Sequence, residues 1–142
     1  AHYDSSFEKN IEEENSIILA FLSRSYHESV KNKNAYVLMQ TGKKYNLNNE
    51  FMFYSRPKGK YSGNATEKIL LDFYLINTEI SKEGNRVRVT INDQEFMIYK
   101  WAPYYIEGLQ KGESTIKLEF LNNENELIET DFNPTTRVIN IN

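Results

Sequence analysis

Cysteine is absent from this 142-residue chain. Its absence excludes a disulfide framework, a thiol nucleophile and a thiolate metal site, and leaves the cellular compartment open. Histidine is nearly absent. His2 and His27 are the only two, and neither stands in an H-x-H or H-E-x-x-H arrangement, so no metal centre is expected. The chain also lacks a glycine-rich phosphate loop, an EF-hand spacing and a G-x-S-x-G nucleophile elbow. No cofactor is therefore expected. A net charge of -3 is too mild to argue for nucleic acid as a partner. No apolar run approaches the length at which a helix spans a bilayer.

Aromatic residues are what the chain has in plenty. Ten Tyr and eight Phe suit the pleated, half-buried surface of a sheet. The segment from Lys100 to Phe120 is the most informative. A short β-like run leads into a turn bounded by Gly108 and Gly112 with Leu109 inside it. There follows a strand in which Ile116, Leu118 and Phe120 alternate with Lys117, Glu119 and Leu121. That pattern is the pattern of a small β-sandwich. Ile69 to Ile76 is the most apolar run and is expected at the centre of a sheet. Ile69, Leu71, Phe73 and Leu75 share one of its faces, and Leu70, Asp72, Tyr74 and Ile76 share the other.

Asn92-Asp93 is expected as the two-residue loop of a hairpin, in a type I′ turn with positive φ at both positions. It sets Ile91 against Gln94, Val89 against Phe96 and Val87 against Ile98. Val87, Val89, Ile91, Phe96 and Ile98 then share one face, with Arg86, Arg88, Thr90, Glu95, Met97 and Tyr99 on the other. A one-residue slip would destroy this sorting. Ala35 to Gln40, Phe51 to Tyr54 and Leu127-Ile128 read as short strands, and Val138, Ile139 and Ile141 as a closing one. Turn signals recur about every eight to fifteen residues from Lys68 onward, the spacing of a sandwich. Ser16 to Ser23 reads as a strand. A helix over Glu12 to Val30 is the competing reading, because Ile18, Leu22, Tyr26 and Val30 recur at four-residue spacing. Residues 1–16 are polar and acidic and read as a tether, residues 17–142 as a single antiparallel β-sandwich domain. The chain opens at Ala1 without an initiator Met, so removal of a leader, a lipidated terminus or a tag is expected.

Three groups of residues bear on function. Arg24, Ser25, Tyr26, His27, Glu28, Ser29 and Lys31 crowd hydroxyls, an imidazole, a carboxylate and two cations together. They suit an anion or sugar site, but the favoured reading is structural, with Arg, Tyr and Ser tying down long loops by hydrogen bonds. A small hydrolase using His27 with Ser25 or Ser29 is the catalytic alternative, although on a strand His27 and Glu28 point to opposite faces. Arg56-Pro57-Lys58-Gly59-Lys60 is a cationic turn suited to phosphate or carboxylate, arginine being capable of bidentate contact. With Arg24, His27 and Lys31 it makes the expected cationic site. Asp72 lies inside an apolar strand and needs a partner there, so an ion pair with Arg24 or Arg56 is expected and is structural. Trp101, Tyr104 and Tyr105, near Tyr99 and Lys100, form the aromatic candidate for a sugar or a peptide. Core packing is the commoner fate of such residues, and alternation sends Tyr104 and Tyr105 to opposite faces.

From Phe21 onward the chain resembles a family of envelope proteins from Gram-negative bacteria, many of them predicted lipoproteins. The carrying residues are Arg24-Ser25-Tyr26-His27-Glu28-Ser29-Val30-Lys31-Asn32, Tyr54-Ser55-Arg56-Pro57-Lys58-Gly59, Leu71-Asp72-Phe73-Tyr74-Leu75 and Lys100-Trp101-Ala102-Pro103-Tyr104. The resemblance implies an Ig-like sandwich facing the periplasm or the cell surface, held at the outer membrane through an N-terminal lipid anchor that this cysteine-free chain does not itself carry. A non-catalytic binding or accessory domain with a protein partner in the envelope is expected, and its cationic and aromatic groups suit an anionic or carbohydrate ligand. Some relatives carry a phosphopeptide-binding label. A purely structural assembly subunit is the remaining alternative.

Overall fold

The computed structural model describes residues 46–142 throughout and residues 17–21 and 36–40 as strands. β1 (Ile17–Phe21) and β2 (Tyr36–Gln40) pair antiparallel as a two-stranded sheet of their own, with Leu19 opposite Leu38. The strand reading of the Ser16 to Ser23 run holds over β1. The rest of the competing helical window lies outside the described residues.

The sandwich follows. β3 (Phe51–Arg56), β5 (Ile69–Ile76) and β8 (Tyr104–Ile106) form a three-stranded sheet with β5 at its centre, as its apolar composition predicts. A five-stranded sheet runs in the order β4 (Lys60–Tyr61), β10 (Thr135–Ile141), β9 (Gly112–Leu121), β6 (Arg86–Ile91), β7 (Gln94–Ile98). The chain passes from the first sheet to the second between β5 and β6, returns between β7 and β8, and crosses again to β9. This is the Greek-key wiring of an Ig-like sandwich, the expected fold. Pairing is antiparallel except where β4 meets β10, with Asn140 opposite Lys60.

Alternation builds the core. Met52, Ile69, Leu71, Phe73, Leu75 and Ile106 from one sheet meet Val87, Val89, Ile98, Ile116, Leu118, Phe120, Ile139 and Ile141 from the other. Each such side chain removed from water contributes about 1.5–3 kcal/mol before entropy is counted. Leu109 packs against this cluster from a loop flanked by Gly108 (φ 79) and Gly112 (φ 111), conformations that glycine adopts without strain. The outer face of the three-stranded sheet is apolar as well. Phe51, Tyr74 and Ile76 are buried there, with Phe53 and Trp101 packed against them. β5 is therefore buried on both faces, and Asp72 is fully buried within it.

The hairpin has the expected register: Val87 faces Ile98, Val89 faces Phe96 and Ile91 faces Gln94. The expected type I′ turn is not formed, because of the pair only Asn92 (φ 53) lies in the left-handed region. Asn92 is fixed there by β9. Its backbone N–H donates to the Thr115 carbonyl at 2.8 Å, and its side-chain oxygen accepts from the Thr115 N–H at 3.0 Å. Leu127-Ile128 is not a strand either. Leu127 makes one bridge to Leu121, and the Ile128 N–H reaches the Phe120 carbonyl. The Asn133 side chain takes over this stretch, bonding both Phe120 backbone groups and the Ile128 carbonyl.

Candidate functional site

Strands in a sheet lie about 4.8 Å apart, so five strands overhang three by about two spacings. The two sides of the sandwich resolve this overhang differently. On one side the inner face of β7 is covered only in part, with Ile98 buried in the core. Phe96 belongs to the inward-facing row of the hairpin, yet it is 51% exposed. The result is a cleft of about 830 Å³ between the β6–β7 hairpin and β8, lined by Phe96, Tyr104 and Leu109 and by Gln94, Gln110 and Lys111. Its volume and its mixture of aromatic and polar groups suit a ligand site. The Tyr104 hydroxyl donates to the Lys100 carbonyl at 2.6 Å, which fixes the ring, and burial raises the affinity of this phenol for its proton.

The opposite side is closed by Arg137. On β10 it has the same parity as Ile139 and Ile141 and so points inward. Its guanidinium donates to the Tyr54 carbonyl at 2.8 Å and the Ser55 carbonyl at 3.1 Å, and lies 4.1 Å from the centroid of the Tyr54 ring. One side chain thus ties the edge of β3 to the other sheet, where the β3–β5 register shifts between Tyr54 and Arg56. Burial pushes the Tyr54 phenol far above the ordinary tyrosine range, with the neighbouring Arg137 charge acting in the opposite sense. The buried Tyr54 hydroxyl makes no hydrogen bond to a described residue.

The cationic turn sits beside this closure. Arg56 ends β3 and is half-buried, whereas Lys58 and Lys60 are exposed. The Lys58 N–H donates to the Tyr61 hydroxyl at 3.0 Å, which shapes the turn, and Gly59 adopts φ 78. The ion pairs among the described residues are Arg88–Glu119 and Lys117–Glu119, and neither includes Arg56, Lys58, Lys60 or Arg137. Arg56 stands opposite Asp72 in register, and Asp72 has an interaction partner. Arg24, Ser25, His27, Glu28, Ser29 and Lys31 lie outside the described residues, and with them the catalytic alternative and half of the expected cationic site.

The aromatic candidates separate. Tyr104, opposite Leu71, faces the core and the cleft, and Tyr105, opposite Leu70, takes the other face. Trp101 is a packing residue. Its indole N–H donates to the Phe73 carbonyl at 2.9 Å, and its ring meets Tyr74 edge-on at 5.0 Å. Two residues of consequence were not singled out by the sequence. Arg137 was signalled by its parity with Ile139 and Ile141. Phe96 carried no signal, because nothing local marks β7 as the outermost strand. Among the described residues, no three His, Cys, Asp or Glu side chains are grouped to hold a metal ion.

No protein-family model matches the chain, and no curated protein matches it. Among solved structures it is similar to the fibronectin(III)-like modules of Clostridium thermocellum CbhA, at 14% identity over 64% of this chain and 96% of that one, with a TM-score of 0.46.

Proposed function

We propose that this is a non-catalytic binding domain of the bacterial envelope that holds its partner in the cleft beside β7. The exposed Phe96 on an inward-facing row carries the reading: an aromatic ring aimed at the inter-sheet space, half open to solvent, is a ready anchor. The resemblance of its motifs to Gram-negative envelope lipoproteins supports location at the periplasmic or outer face of the outer membrane, as an accessory subunit of a larger complex. Capture of partners from native membranes tests both points. Phe96→Ser is expected to reduce recovery of the partner at least tenfold while leaving the denaturation midpoint nearly unchanged, since the ring is half exposed. Recovery equal to that of the unaltered protein overturns the reading.

The cationic turn supports a second reading, an anion site formed by Arg56, Lys58 and Lys60 with Arg24, His27 and Lys31. The exposure of Lys58 and Lys60, neither of them in an ion pair with a described residue, favours it. Salt separates the two. Capture through the cations weakens as ionic strength rises and is lost on Lys58→Glu with Lys60→Glu, whereas capture through Phe96 survives both.

A further inference from the structure

The occupant of the cleft can be specified further, on the reading that the cleft is the binding site. β7 is the last strand of its sheet. In an antiparallel ladder, residues opposite one another alternate between pairs that exchange backbone hydrogen bonds and pairs whose N–H and C=O groups turn outward. The two-residue loop makes Ile91–Gln94 a bonded pair, and hence also Val89–Phe96 and Val87–Ile98. Thr90 and Arg88 then turn their backbone groups toward β9, in agreement with the bond from the next residue of that parity, Asn92, to Thr115. Across the hairpin, Glu95 and Met97 turn theirs away from β6, toward the open edge. Phe96, between them, directs its ring into the cleft. Backbone groups along the edge and an apolar anchor beside it are the two halves of a strand-addition site.

Charge identifies the partner. Asp93, Glu107 and Glu113 line the cleft against Lys111, and Glu95 on the edge strand adds a carboxylate whose described cationic neighbour is Arg88. A second copy of the chain would bring two acidic rims together. A soluble sugar would leave the backbone row of β7 unused. The geometry points to an extended segment of another protein, with basic residues alternating with apolar ones, that adds to β7 through the backbone of Glu95 and Met97 and lays its apolar side chains beside Phe96, Tyr104 and Leu109.

The test uses the whole chain, isotope-labelled, titrated with short capped synthetic peptides and followed by amide chemical shifts and hydrogen exchange. A peptide of alternating valine and lysine is expected to shift the Glu95 and Met97 amides and to slow their exchange at least tenfold. Alternating valine and glutamate has no such effect. N-methylation of the lysine-peptide amides that would pair with β7 weakens binding about tenfold for the two hydrogen bonds lost. Met97→Pro removes only an edge-facing N–H and is expected to weaken binding similarly. If that variant fails to fold, the N-methylated peptide decides alone. Equal binding of the methylated and unmethylated peptides overturns strand addition. So does a lysine peptide, or a soluble oligosaccharide, that perturbs Phe96 and Tyr104 without protecting Glu95 and Met97, although the cleft then stands as the site. Shifts confined to Arg56, Lys58 and Lys60, or none at millimolar peptide, overturn the inference. Loss of partner capture in Phe96→Ser would in that last case still uphold the cleft.

Discussion

Two buried polar groups at the same end of the β3–β5 pairing show how differently single residues are held. The Tyr54 hydroxyl is buried and makes no hydrogen bond to a described residue. A buried hydroxyl without a partner forfeits its hydration and gains nothing in exchange. Tyr54→Phe is therefore expected to leave stability unchanged or to raise it by up to about 1 kcal/mol in chemical denaturation. The ring stays, and with it the stacking of Arg137. Asp72 is the opposite case. It is fully buried in the central strand with Arg56 opposite it in register, and we propose that an arginine, Arg24 or Arg56, balances its charge. Asp72→Ala would then leave that cation uncompensated and lower stability by about 3–5 kcal/mol. An unchanged denaturation midpoint would argue against the pair.

At the scale of elements, β6 and β9 are joined on their solvent face by Arg88 and Glu119. The guanidinium Nε and a terminal nitrogen each donate to one carboxylate oxygen at 3.0 Å, with Lys117 3.8 Å away. The hydrogen bond from Arg88 is the main reason the Glu119 carboxyl is held below the ordinary glutamate range, in spite of partial burial acting the other way. A carboxyl whose folded pKa is depressed stabilises the fold above its unfolded pKa. That contribution is lost as pH falls through the folded value. Stability measured by denaturation is thus expected to decline as pH drops below the usual glutamate range, and Glu119→Gln to flatten that decline while lowering stability at neutral pH. The hairpin beside this pair was legible because its register follows from parity: once the loop is placed at Asn92-Asp93, every apolar residue of β6 and β7 is assigned a face. The turn type was not legible. Type I′ follows from the strands' own twist, but here β9 fixes Asn92 from outside the hairpin through two bonds to Thr115. Leu127-Ile128 failed as a strand for a similar reason, since the Asn133 side chain occupies the backbone groups of Phe120 that a further strand would need.

For the molecule as a whole, the expectation that follows from a binding domain is the absence of turnover. A screen of esters, phosphoesters and glycosides is expected to show none that His27→Ala abolishes in a folded protein, and a dependence on His27 would restore the hydrolase reading. The sequence by itself determined the β class, the central place of Ile69 to Ile76, the hairpin register and the inward row of β9. Each follows from the pleat, which sends successive side chains to opposite faces and so writes burial into local order. It marked the cations of the Arg56 to Lys60 turn but not the company they keep. Only the tertiary structure decided that β7 is an edge, that Arg137 closes one side of the sandwich, and that Phe96, facing inward like Val89, stays open to solvent. Neighbour order depends on which distant surfaces bury one another, and among the described strands a five-stranded sheet laid over a three-stranded one leaves its outermost inner face only partly covered.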